Sequence, residues 1–253
     1  MGFCQELTMD IETTNVLEQR LIDELSGFGI ACSPEQASSL VHHLLLVIEK
    51  NKVVNLTRIT DPSEAVTLHL VDSLLPMASD LVEMDEKTRY VDMGTGAGFP
   101  GLPLAIMTGA HGLLIDSVGK KIAAVEEFAS ALRCAQVEAR HTRVEDLPRE
   151  LFGTFDYVFA RAVAQSNVLI EYAAPLLKKS GFLVLEKARP TDEELSAAER
   201  AAAICGLAFV SRETYELPQG LGHRELLFYQ KTTKPRIKLP RKAGMAKKEP
   251  LGM

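Results

Sequence analysis

Residues 91–106 read VDMGTGAGFPGLPLAI, an acid followed by closely spaced glycines between two apolar runs. Gly94, Gly96 and Gly98 form G-x-G-x-G, with Asp92 two residues upstream. Such a turn lets backbone approach a bound nucleotide, and the neighbouring residues limit which one. A dinucleotide site needs glycine or alanine where helix and strand pack most closely, and Phe99 stands there, followed by Pro100. A P-loop needs a lysine and a hydroxyl residue after its glycines, and neither follows. The turn is therefore a poor phosphate cradle. Asp116 closes the next apolar run, 22 residues after Gly94, where a carboxylate can accept both ribose hydroxyls. Asp92, at a strand end, can hold an ammonium directly or through water. A ribose anchor and an ammonium anchor without a phosphate site describe S-adenosylmethionine, whose chemistry is methyl transfer. Plainer roles stay open: the glycines can serve only a tight turn, and Asp116 can cap the helix beginning near Val118.

The end of the fourth strand faces the reacting centre in sheets of this kind, and here it reads FARAV. Methylases of exocyclic amines carry Asp or Asn followed by two prolines and an aromatic at that point. Those that attack pyrimidine carbon need a nucleophilic cysteine, and Cys134 falls on an expected helix instead. Arg161 occupies the strand end. A guanidinium stays protonated and is a poor base, so the acceptor should already be nucleophilic, as guanine N7 is. Arg161 can hold the cofactor carboxylate, a substrate phosphate or guanine O6, or form a structural ion pair.

These residues need a sheet to bring them together. RYVDMG, HGLLIDS, FDYVFARA and GFLVLEK have the character of buried parallel strands, with further strands near EARHTRVEDL and at RELLFYQK. GLPLAIMT, KKIAAVEEFASALR, SNVLIEYAAPLLKK and TDEELSAAERAAAIC have the character of crossover helices. That alternation indicates an α/β, doubly wound, mostly parallel sheet, with ligands beyond the carboxyl ends of its strands. This places the chemistry at Asp92 to Gly98, Asp116, Val144, Glu145, Arg161 and Lys187. Residues 10–82 read as helical: Ser33 and Asp61 can cap helices, Pro34 and Pro62 fit their first turns, and Leu40, Leu44 and Ile48 form a stripe. His69 and Asp72 share one helix face, whereas His42 and His43 border an apolar stripe and suit surface or core roles. The expected division is an N-terminal helical extension at 1–85, a methyltransferase domain at 86–231 and a basic tail at 232–253.

Composition sets outer bounds. The chain has 253 residues, 46% hydrophobic and 25% charged, as in ordinary soluble domains. It shows no signal sequence and no apolar run long enough to span a bilayer, so a cytoplasmic location is expected. Cys4, Cys32, Cys134 and Cys205 are too scattered for a zinc site or disulfide scaffold, and no metal is expected. The net charge of −6 conceals +7 over residues 231–253 and −13 over the rest. A basic tail on an acidic body suits a polyanionic partner, unless it is simply a solvated terminus.

NKVVNLTRITDPSEAVTLHLVDSLLP followed by VDMGTGAGFPGLPLAI closely resembles the bacterial small-subunit ribosomal RNA guanine-N7 methyltransferases, the glucose-inhibited division protein B family. The resemblance continues through LLIDSVGKKIAAVEEFA, VED, FARAV and GFLVLEK, spanning roughly residues 35–190, and resumes weakly in RKAGMAKKEPL. It implies a class I methyltransferase fold that uses S-adenosylmethionine to methylate N7 of one guanine, expected at position 527, in 16S ribosomal RNA or the small subunit. By the same resemblance Gly94 and Phe99 contact the cofactor, Val144 and Glu145 touch adenine, and Arg161 belongs to the cofactor site. Asn55, His69 and Asp72 fall in the N-terminal signature without assigned roles. Val144 replaces an alanine common in the family, and neither the first 30 or so residues nor the stretch after Arg189 carries a recognised motif. Alternative readings are a small-molecule methyltransferase and a non-catalytic RNA-binding or division-associated protein. A monomer is expected.

Overall fold

Ser33 and Asp61 each end a turn and begin a helix. The Ser33 hydroxyl accepts the Gln36 amide at 3.2 Å while the Gln36 side chain accepts the Ser33 amide at 2.9 Å, a reciprocal cap. Asp61 accepts the Glu64 amide at 2.9 Å. The computed structural model describes residues 11–161 and 164–253; Cys4, Ala162 and Val163, named above, lie outside the described residues. Helix α1 spans Ile11–Ser26 and buries Leu17, Leu21 and Leu25 on one stripe. Helix α2 spans Pro34–Asn51 and buries Leu40, Val41, Leu44 and Val47, with Ile48 at its margin. A third helical run begins as α3 (Pro62–Ala65), widens into a π-helix at Val66–Val71, returns as α4 (Asp72–Leu74) and tightens to a 3-10 turn at Leu75–Ala78.

Seven strands follow: β1 (Arg89–Met93), β2 (His111–Asp116), β3 (Val137–His141), β4 (Phe155–Arg161), β5 (Leu177–Lys187), β6 (Leu207–Leu217) and β7 (Gly222–Lys231). Their order in the sheet is β3-β2-β1-β4-β5-β7-β6. Strands β1 to β5 run parallel, and β7 runs antiparallel to both its neighbours. The chain order reverses between β1 and β4, the position where such sheets hold ligands. Helices α5 (Gly101–Thr108), α6 (Gly119–Ala131), α7 (Ser166–Ala173) and α8 (Asp192–Cys205) make the crossovers, and α9 (Met245–Lys248) is a late single turn.

Two apolar layers sandwich the sheet. One unites the N-terminal helices with Tyr90, Leu114, Phe159, Val184, Leu226 and Phe228. The other joins α7 and α8 to Val91, Val158, Leu183, Leu185 and Tyr229, and includes Ala246. The first layer explains the helical extension: its apolar stripe covers a sheet face that is otherwise exposed.

The structure differs from the sequence reading at four places. The helix expected through Lys179 ends at Ala173, because Pro175 offers no amide to continue it, and Leu177 already pairs with Phe155. Cys134 sits in the turn after α6 rather than on that helix. Strand β6 was not foreseen: it is an edge strand in which Phe209 and Val210 are exposed and charged and apolar residues do not alternate cleanly. Residues 232–253, expected as a separate basic tail, dock in part against α7 and α8. Among the described residues no helix is long and apolar enough to cross a membrane.

Candidate functional site

At the carboxyl edge of β1, β2 and β4 lies a cavity of about 520 Å³. Of the residues singled out from the sequence, Gly94, Asp116, Val144, Glu145 and Arg161 line it. Asp92, Gly96, Gly98 and Phe99 stand behind that lining. Lys187, a further candidate, is not part of the lining: its ammonium bonds the carbonyl of Ala164, a lining residue, and Glu194, both at 2.7 Å.

Asp116 ends β2 and is 8% exposed. Its Oδ2 accepts the Gly96 amide at 3.1 Å and its Oδ1 the Val118 amide at 2.9 Å. One side chain thus ties the glycine loop to the chain entering α6 and lines the cavity, and each oxygen keeps a lone pair. Gly96 has φ of 60°, which aims its amide at this carboxylate in a conformation side chains avoid. Val144 and Glu145 sit on a short 3-10 turn after β3. Glu145 Oε1 accepts the Tyr172 hydroxyl at 3.1 Å and the Gly244 amide at 3.0 Å. Ile115, Val118, Val144 and Leu169 give this end an apolar wall.

Arg161 joins the cavity to a closed polar cluster on the N-terminal-helix side of the sheet. Its Nη1 bonds Asp72 at 3.2 Å and lies 3.4 Å from the Leu68 carbonyl. Its guanidinium carbon is 5.6 Å from the centroid of the Phe99 ring. Asp72 also accepts Arg224 at 2.8 Å, so one buried carboxylate fixes two arginines. Phe99 is stacked on His69, with centroids 4.8 Å apart and planes at 10°, and contacts His43 at 4.5 Å. His69 in turn meets the Thr57 hydroxyl at 2.8 Å, and His43 meets the Ala97 carbonyl at 3.0 Å. Burial pushes His43 down to about 4, and burial with the nearby Arg161 pushes His69 down to about 3, so both rings are neutral at physiological pH. The signature residues His69 and Asp72 thus buttress Phe99 and Arg161, while Asn55 is exposed.

Asp92 is fully buried. Its Oδ2 accepts the Gly101 amide at 2.9 Å, and a Cβ at Gly101 would lie 2.8 Å from that oxygen. Burial lifts its pKa to about 6. Gly98, with φ of 92°, makes room for Leu102: a Cβ there would lie 2.7 Å from Leu102 Cδ1. Glu186 pairs with Arg161 in the register of β4 and β5, and burial raises its carboxyl well above the usual range. Among the described residues, Asp92 Oδ1, Thr95 Oγ1, both Glu186 oxygens, His43 Nδ1 and His69 Nδ1 are buried without a hydrogen-bond partner. Buried polar groups are normally satisfied, and Thr95 lies near enough to Asp92 to lower the carboxyl that burial raises. No group of three or more His, Cys, Asp or Glu is placed to hold a metal ion among the described residues.

Sequence reasoning missed Glu186, Tyr172, Arg224 and the contributions of Gly244 and Lys247. Glu186 carried a signal, an acid closing the apolar run FLVL. The others reach the site only through tertiary packing.

The family described as rRNA small subunit methyltransferase G matches residues 36–219. The chain belongs to that family. It is 37% identical over 233 residues to the ribosomal RNA small subunit methyltransferase G of Lactococcus lactis subsp. lactis (strain IL1403), covering 91% of this chain and 97% of the relative. The protein of the same name from Carboxydothermus hydrogenoformans is 36% identical over 239 residues, covering 93% of this chain and all of the relative. Among solved structures, M. jannaschii TYW2 in complex with AdoMet superposes with a TM-score of 0.52 at 16% identity, over 70% of this chain and 80% of that one. YcgJ from Bacillus subtilis gives 0.51 at 14% identity, over 65% of this chain and all of that one. These structural likenesses support the class I methyltransferase fold, and membership of the family makes the chain a methyltransferase of the small-subunit ribosomal RNA type.

Proposed function

We propose that this protein transfers the methyl group of S-adenosylmethionine to N7 of a single guanine in 16S ribosomal RNA, at position 527. The reading is carried by the state of the acids in the cavity. Asp116 and Glu145 are both held by protein donors, and the other charged residues of the lining are the cations Lys121, Arg143, Arg161 and Lys247. Among the described residues that line the cavity there is no histidine, and both carboxylates are engaged by protein donors, which disfavours deprotonation of an amine or hydroxyl acceptor. Guanine N7 needs no such step, because its lone pair is available at neutral pH.

The residues present fit the cofactor. Asp116 keeps a lone pair on each oxygen for ribose hydroxyls, and the apolar wall and Glu145 suit an adenine, while Asp92, buried behind the lining, supports the loop through the Gly101 amide. S-adenosylmethionine supplies the electrophilic methyl when bound. The protein's part is alignment, an effect worth up to roughly 7–11 kcal/mol when two partners are held in reacting geometry. Arg161, clamped by Asp72 and lying over Phe99, presents a fixed guanidinium at the cavity wall for the cofactor carboxylate or an RNA phosphate. The lining carries two more positive than negative charges, which favours a polyanionic acceptor over a neutral small molecule.

The test is incubation with labelled S-adenosylmethionine and small-subunit RNA from a strain lacking this gene, followed by digestion and nucleoside mass analysis. The expected product is 7-methylguanosine at one position. A ribose-methylated or N2-methylated nucleoside would reject the assignment of the acceptor atom.

A further inference from the structure

The expected role of the basic C-terminal segment was contact with a polyanion, yet its docking points elsewhere. After β7 the chain crosses α8, where the Arg236 amide bonds the Ile204 carbonyl at 2.8 Å. Arg241 then grips Glu171 on α7 with Nε at 2.7 Å and Nη2 at 2.5 Å, and its Nη2 also bonds the Glu249 carbonyl at 2.8 Å. Glu171 is 2% exposed, so this two-point pair is sheltered from solvent and more consequential than a surface contact. Asn167 bonds the Leu251 carbonyl at 2.8 Å, Arg200 bonds the Gly252 carbonyl at 2.6 Å, and Ala246 is buried in the second apolar layer.

Between these anchors the segment reaches the cavity. Gly244 and Lys247 are part of its wall, and the Gly244 amide is one of two donors to Glu145 Oε1. Glu145 stands on a short turn outside the sheet ladder, so its side chain is oriented by those two donors, Tyr172 and Gly244. Gly244 has φ of 80°, the left-handed conformation that turns its amide toward Glu145 at little cost only for glycine.

We propose that residues 241–252 form a wall of the adenosine end of the cavity whose docking is coupled to occupancy of that cavity, with Arg241 and Gly244 as positioning residues for Glu145. This rests on the assignment of that cavity to S-adenosylmethionine. Nucleoside binding and docking of the segment are then thermodynamically coupled, and the coupling is reciprocal. Whatever draws the segment away loosens the cofactor, and a bound cofactor holds the segment down.

The test combines hydrogen–deuterium exchange on the intact wild-type protein with calorimetric titration of S-adenosylhomocysteine. Saturating ligand should slow amide exchange across residues 241–252 severalfold. Gly244→Pro, which lacks the amide and cannot adopt the required φ, should weaken the ligand about tenfold. Arg241→Gln should weaken it several-fold. Unchanged exchange in the segment, with wild-type binding intact, would overturn the coupling, as would affinities within twofold of wild type for both variants. If a variant fails to fold, the exchange measurement on the wild type decides alone. A wild-type protein that binds no ligand in the titration removes the cofactor assignment itself, and the coupling with it.

Discussion

Asp92 shows how one side chain trades stability for readiness. Its buried carboxylate has one oxygen on the Gly101 amide and the other unpartnered, and burial raises its pKa from 3.8 to about 6. A raised folded-state pKa means the folded protein binds the proton more tightly than the unfolded chain. The contribution to stability is therefore full below about pH 4 and lost as pH rises through about 6, a span worth up to about 3 kcal/mol. Asp92→Asn should raise Tm at pH 8, lose about half of that gain at pH 5, and bind S-adenosylmethionine more weakly. Calorimetry at the two pH values checks the first two points, and a gain independent of pH would remove the carboxylate from the explanation. The position of Asp92, Gly94 and Asp116 at strand ends was legible because apolar runs stop there. The burial of Asp92 behind the loop was not legible, because it depends on helices brought in from residues 34–78.

Among the elements, the third helical run matters most for the chemistry. Its π-helical stretch carries His69 onto Phe99, and the following turn carries Asp72 onto Arg161 and Arg224. Removing one member of a buried ion pair leaves its partner uncompensated, typically a loss of 3–5 kcal/mol. Asp72→Asn should accordingly lower the denaturant midpoint and slow single-turnover methyl transfer at saturating substrates at least about tenfold. Wild-type turnover in that variant would show that the arginine needs no buttress. The caps at Ser33 and Asp61 and the crossover helices could be read from local residue choice. Strand β6 could have been found from PQGLG between two β-rich runs, a turn signal with Gly220 and Gly222 at positive φ. The end of α7 was hidden because LLKK continues a helical pattern beyond Pro175.

For the whole molecule, buried histidines and buried acids pull stability in opposite directions. His43 and His69, held near 4 and 3, bind protons less readily folded than unfolded. Their contribution is present above about pH 6.5 and withdrawn as pH falls toward those values. Asp92 and Glu186, both raised, return stability over part of the same interval. Acidification from pH 7 to 5 should therefore destabilise Asp92→Asn more than the wild type, as followed by urea unfolding at each pH; parallel losses would mean the histidines and the acid do not oppose one another. The α/β architecture, the glycine loop and its acids were legible from pattern, while the joining of chain ends was not. Asp72 and Arg224 meet across 152 positions of sequence, and Glu24 on α1 meets Gln219 beside the β6–β7 turn. In a nascent chain the Asp72 carboxylate thus gains its second arginine only after residue 224 has been synthesised. Long-range closure of this kind comes late in folding, so the polar cluster behind the cavity is completed only when the last hairpin pairs.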